Sequence, residues 1–156
     1  MKEIPQKRGM YFEEFEIGQH TVTPGRTITE SDIVSFAGLS GDYNQIHVDQ
    51  AFAEKTYFGQ RVAHGLLVTA IASGLVTQIG ILEGTIIAFR EITSWKFSKP
   101  VFIGDTIVVE VDVLETRLMR RLGGGLVKIK LSVDNQHGEK VMSGEWSVLM
   151  ASRPEE

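Results

Sequence analysis

Cysteine is absent from this sequence of 156 residues. That excludes disulfide staples, a thiol nucleophile and cysteine-ligated zinc. Positive charge is also scarce: 16 Lys and Arg stand against 20 Asp and Glu, for a net charge of −4. Without a general basic footprint, nucleic acid is not an expected partner. Long apolar runs are missing too. The opening Met-Lys-Glu-Ile-Pro-Gln-Lys-Arg is charged and leads into no hydrophobic stretch, so neither a signal peptide nor an anchor is expected and the chain reads as cytoplasmic. The most apolar segment, 65–81, falls short of the ~20 residues a membrane span needs and is interrupted by Thr69, Ser73, Thr77 and Gln78. With 42% apolar and 23% charged residues, the composition is ordinary for a globular protein, and the length suits one domain over 1–156 with a proper core.

In chain order, residues 1–10 read as a loosely held arm, and 11–18 as an aromatic-bearing loop closed by Gly18. The stretch 19–28 is rich in Thr and Val with Pro24-Gly25 at its middle, the pattern of a strand broken by a turn. Thr29 with Asp32 three residues on forms a variant capping box. It should start a helix running to about Leu39 with Ile33, Phe36 and Ala37 inward. Asp49 is placed to cap a second, short helix over 50–55. The stretch 65–81 is apolar on nearly every side, which predicts a helix buried all round. Four strands follow over 85–97, 106–117, 126–135 and 140–151. The clearest alternation sets Val127, Ile129, Leu131 and Val133 against Lys128, Lys130 and Ser132, a half-buried antiparallel pattern. Residues 135–138 suit a hairpin turn, and 120–125, with three consecutive glycines, a longer mobile one. A helix followed by antiparallel strands implies an α+β domain in which a curved sheet wraps a central helix. Such a sheet leaves strand edges open, and a homodimer would cover them.

Chemistry concentrates in Ser40-Gly41-Asp42-Tyr43-Asn44-Gln45-Ile46-His47 and in Arg61-Val62-Ala63-His64-Gly65. Ser-Gly-Asp is turn chemistry, and Ile46 and Val48 bracket His47 as an apolar anchor. An Asp and a His converging across such a loop can hold a water between them and share its proton transfers. The same residues also suit an Asx turn beside a packed imidazole, and spacing leaves both readings open. A calcium loop is excluded because Ile46 occupies the next ligand position. His64 reads as a partner of a loop carbonyl, and no metal is expected, since two histidines without further ligands make a poor site. Gly65 opens a helix whose free N–H groups can hold a developing oxyanion.

The run Ser35-Phe36-Ala37-Gly38-Leu39-Ser40-Gly41-Asp42-Tyr43-Asn44-Gln45-Ile46-His47, continued by His64-Gly65-Leu66-Leu67 and the turn 100–105, resembles the MaoC-like (R)-specific enoyl-CoA hydratases of hot-dog fold. The resemblance implies that Asp42 and His47 bind and activate a catalytic water and that Asn44 supports them by hydrogen bonding. It further implies that the Gly65 N–H serves the thioester oxyanion and that Ser73 touches the catalytic carboxylate. Gln45 departs from the family's usual Pro, which loosens the loop without removing a reacting group. The implied reaction is reversible hydration of a trans-2-enoyl-CoA to an (R)-3-hydroxyacyl-CoA. The alternatives are a hot-dog thioesterase or a non-catalytic acyl-CoA-binding subunit. No cofactor is implied, because coenzyme A is the handle of the substrate. Lys96, Lys99, Arg120 and Arg121 could face its phosphates, although each also suits a solvated surface.

Overall fold

Alternation along the strands builds the molecule. The structure, a computed structural model, describes residues 2–4 and 8–155. Its strands are β1 (Lys2–Glu3), β2 (Gln19–Val22), β3 (Arg26–Thr27), β4 (Ile86–Phe97), β5 (Thr106–Met119), β6 (Gly124–Asp134) and β7 (Lys140–Ala151). On β5, Ile107, Val109, Val111 and Val113 are buried, and on β6 so are Val127, Ile129, Leu131 and Val133. Register stacks these into rows, for example Val113–Ile129–Trp146 and Val111–Leu131–Gly144. The sheet order is β1-β2-β5-β6-β7-β4, with β3 also pairing β5. The alternation expected on 127–133 is therefore the core face of a central strand.

The helices are α1 (Glu30–Ser40), α2 (Gln45–Val48), α3 (Gln50–Ala53) and α4 (Gly65–Gln78). Thr29 caps α1 as expected, its hydroxyl accepting the Asp32 N–H while Asp32 accepts the Thr29 N–H, a motif worth about 1 kcal/mol. Arg26 forks onto the same carboxylate at 2.7 Å through both guanidinium ends. That contact holds Asp32 well below the usual carboxylate range and pins α1 to β3. Asp49 caps α3 by accepting the Phe52 N–H. No helix among the described residues is long and apolar enough to cross a membrane.

Three expectations are corrected. α4 buries Leu67, Val68, Ala72, Leu75 and Val76, but Leu66 is 66% exposed, because the sheet curves around one side of the helix and leaves the other uncovered in the single chain. The arm is docked where it is described: Lys2–Glu3 pairs with Gln19–His20, the Gly9 and Met10 N–H groups donate to Gly80 and Ile81, and Ile4 and Met10 are buried. Residues 1 and 5–7 of that arm lie outside the described residues. Of the glycine run, Gly124 and Gly125 belong to β6 rather than to a mobile loop. A Cβ at Gly124 would collide with the Met150 carbonyl, and one at Gly125 with the Phe12 ring, so close approach selects glycine there.

Candidate active site

α1 ends at Gly41, and the chain then turns through Asp42. Asp42 Oδ1 accepts the Asn44 N–H at 3.2 Å, and Asn44 Oδ1 accepts the Ile46 N–H at 3.2 Å. This is the Asx-turn reading, and it winds 45–48 into the short helix α2, which carries His47. His47 is 8% exposed. Its Nδ1 lies 2.7 Å from the Val62 carbonyl; a carbonyl only accepts, so Nδ1 bears the hydrogen and Nε2 presents a bare lone pair. Nε2 stands 3.9 Å from Asp42 Oδ2, too far for a direct hydrogen bond and close enough for one water at about 2.8 Å from each. The Asx turn and the packed imidazole are both present, and the 3.9 Å gap leaves room for a water between the two side chains. Burial pushes the His47 pKa below the ordinary imidazole value and His64 adds to this, against the opposing pulls of the Val62 carbonyl and the Asp42 carboxylate.

His64 sits at the N-cap of α4. Its Nε2–H donates to the Asp42 carbonyl at 2.9 Å, the loop-carbonyl partner expected for it. Its ring stacks on His47 with centroids 3.8 Å apart and planes 27° apart. No side chain caps α4, so its first N–H groups remain available beside the dyad. Gly65 lines a cleft of about 680 Å³ together with His47, Leu66, Phe97, Lys99 and Met142. A Cβ at position 65 would meet the Phe97 ring at 2.7 Å, so glycine keeps this approach to the backbone open. The cleft thus sets a bare imidazole nitrogen and a positive helix end at the head of an apolar passage. A second cavity, of about 590 Å³, is lined by residues such as Thr23, Gln78 and Gly80 and contains none of these groups.

Residues 13–135 match the family model of the MaoC like domain. The chain belongs to the MaoC-like family. The protein is 36% identical to an (R)-specific enoyl-CoA hydratase of Rhodospirillum rubrum over 148 residues, 92% of this chain and 93% of that one. It is 43% identical to the protein MaoC of Klebsiella aerogenes over 101 residues, 65% of this chain, and spans only 30% of that relative's length. Among solved structures, an Archaeoglobus protein called a monoamine oxidase regulatory protein superposes with a TM-score of 0.88 at 39% identity, covering 96% of this chain and 99% of the other. At 19% identity and a TM-score of 0.84, a double hot-dog protein of Mycobacterium tuberculosis, Rv0216, shares the fold over 95% of this chain and 46% of its own. The fold of this MaoC-like chain is a hot-dog, as expected.

Not every residue singled out in the MaoC-like pattern reaches the dyad. Asn44 supports it as a capping side chain and through its backbone N–H. Ser73 lies two turns along α4 from Gly65, and its Oγ donates to the Ala70 carbonyl at 2.6 Å. Among the described residues it makes no bond to Asp42, because eight residues of helix rise about 12 Å. Lys99 lines the cleft but is paired with Glu139 at 2.5 Å, and Arg120 and Arg121 line a separate hollow. Donor atoms of Asp42, His47 and His64 all lie within 4.8 Å of one another. The Val62 carbonyl, which sets the His47 tautomer, carries no signal in sequence because any residue could supply it.

Proposed function

We propose that this MaoC-like domain is a hydro-lyase that adds water reversibly across the double bond of a trans-2-enoyl-CoA to give an (R)-3-hydroxyacyl-CoA. One observation carries the reading: the 3.9 Å gap between a bare His47 Nε2 and Asp42 Oδ2, opening beside the uncapped start of α4. A water held there loses a proton to the dyad as its oxygen bonds to C3. The π electrons move through C2 onto the thioester oxygen, where the Gly65 N–H stabilises the enolate. Collapse of the enolate takes a proton from the dyad at C2, so one water supplies both added groups and the protein gains no net proton. Coenzyme A serves as the substrate's handle, and no cofactor takes part. Incubation with crotonyl-CoA and longer enoyl-CoAs should remove the conjugated double bond without releasing thiol. Thiol release would instead select a thioesterase, and analogue affinity without turnover a binding subunit.

The His47 environment adds a pH dependence. The imidazole must be neutral to accept a proton, and burial displaces its pKa downward from 6.5, so the midpoint of the acid-side decline in kcat/KM should fall below pH 6.5. A titration of initial rates checks this; a decline already half complete above pH 6.5 would contradict it.

We also propose that the protein is a homodimer joined through β4. That strand ends the sheet order, and Ile87, Phe89, Ile92 and Phe97 on it are 46–53% exposed, an edge that a second copy's β4 would pair and cover. Light scattering at low micromolar concentration should give twice the chain mass, and a monomeric mass would contradict it.

A further inference from the structure

We infer that His64 is a positioning residue, whose long-range bond to the Asp42 carbonyl helps to set the Asp42 carboxylate at its working distance from His47. The proposal rests on the hydro-lyase reading above. Among the described residues, every other hydrogen bond made by 41–44 runs to a position within four residues of its donor: Gly41 to Ala37, Asp42 to Ser40, Tyr43 to Gly41, Asn44 to Asp42, and Ile46 and His47 back to Asn44. Such bonds shape the turn and join it to α2, which Val62 holds through Ile46 and His47. Among the described residues, the His64 Nε2–H bond to the Asp42 carbonyl, spanning 22 positions, is the one hydrogen bond that ties 41–44 directly to a distant segment. The Asp42 side chain is 51% exposed, so packing does not hold it instead.

The same ring is joined to the other parts of the site. One contact of its face is the His47 imidazole at 3.8 Å, and the Phe36 ring lies at 4.9 Å. Its own backbone leads directly into Gly65, the proposed oxyanion donor. A single imidazole therefore touches the carboxylate's own residue, the base and the helix start.

Stability alone does not account for a histidine at this position. The ring is 2% exposed, and its Nδ1 is buried with no hydrogen-bond partner among the described residues. Thr85 Oγ1 and Trp146 Nε1 share this condition among the described residues, so the orphan nitrogen marks no function by itself; it is a polar group that packing alone does not require. A phenyl ring would fill the space without the orphan nitrogen and would leave the Asp42 carbonyl untethered. Histidine is the side chain that combines a flat stacking face with a donor at the far edge.

Two variants separate the roles. His64→Phe keeps the ring contacts, removes the orphan nitrogen and deletes the donor. His64→Gln has an amide donor of similar reach and lacks the ring. A misplacement of about 1 Å costs roughly 10²-fold in rate, so His64→Phe should lose about that much in kcat, with KM within about threefold of wild type. Its melting temperature should equal or exceed that of wild type. His64→Gln should recover at least about tenfold of the lost kcat, because the tether is restored. A merely structural histidine would instead make turnover and melting temperature fall together, and that result, or wild-type turnover in folded His64→Phe, overturns the proposal. The nitrogen-15 shift of the Tyr43 amide, which follows hydrogen bonding at the preceding Asp42 carbonyl, reads the contact independently of activity. It should move in His64→Phe and stay near its wild-type value in His64→Gln. If the wild-type protein hydrates no enoyl thioester, the hydro-lyase reading fails, while the Tyr43 shift still decides the tether: an unmoved resonance in His64→Phe overturns it.

Discussion

Asp42→Asn should bind a non-reactive acyl-CoA nearly as tightly as wild type while its turnover falls by about 10²- to 10⁴-fold, the range for loss of a positioned acid or base. The amide keeps the shape of the carboxylate and can still accept the Asn44 N–H that Oδ1 accepts at 3.2 Å, so the turn should form. It could not exchange a proton with a water placed opposite His47 Nε2, as the proposed mechanism requires. His47→Ala should fall comparably. Because both groups serve one water, the double variant should be little worse than either single one, as happens when residues act as a unit. Steady-state kinetics, analogue binding and circular dichroism on the three variants check this. Unchanged rates in folded Asp42→Asn protein would remove the dyad, and additive losses would give the two residues separate roles.

Substitution at Gly65 should produce the second large effect. Gly65→Ala retains the N–H and adds a Cβ that must displace the Phe97 ring from 2.7 Å, and Phe97 is 53% exposed and can give way. Gly65→Pro adds similar bulk and deletes the N–H, at a first helical position where proline is accommodated. Loss of an oxyanion donor costs about 10²- to 10³-fold in turnover, so the proline variant should fall that far below the alanine variant. The comparison cancels the crowding that both share. Equal turnover in folded Ala and Pro variants would mean that Gly65 is not the donor.

The parts that sequence reveals and conceals divide by the range of the interactions involved. The strands of 106–119 and 124–134 were legible because alternation is a local signal that burial of one face enforces. The Thr29 and Asp49 caps were legible for the same reason, since donor and acceptor lie three residues apart. α2 was hidden, because four residues of helix held by the Asn44 cap leave almost no periodicity. Gly124 and Gly125 misled, since their partners, Met150 and Phe12, are distant in the chain. In the site, residue type and spacing left Asp42 and His47 open between an Asx turn beside a packed imidazole and a water-holding pair, and the resemblance to the MaoC-like family favoured the second and pointed to Gly65. The resemblance assigned Ser73 a contact with the carboxylate that α4 does not make in this chain, where its hydroxyl turns back to Ala70. The roles of the Val62 carbonyl and of the His64 ring face emerge only when segments far apart in sequence are brought together.

The most direct test of the central proposal is hydration of an enoyl-CoA by the wild-type protein in water enriched in heavy oxygen, with mass and chiral analysis of the product. Intact thioester should carry the label in the hydroxyl at C3 alone, in the (R) configuration. Label in a released carboxylate beside free coenzyme A, or no incorporation in protein that binds the thioester, would contradict it.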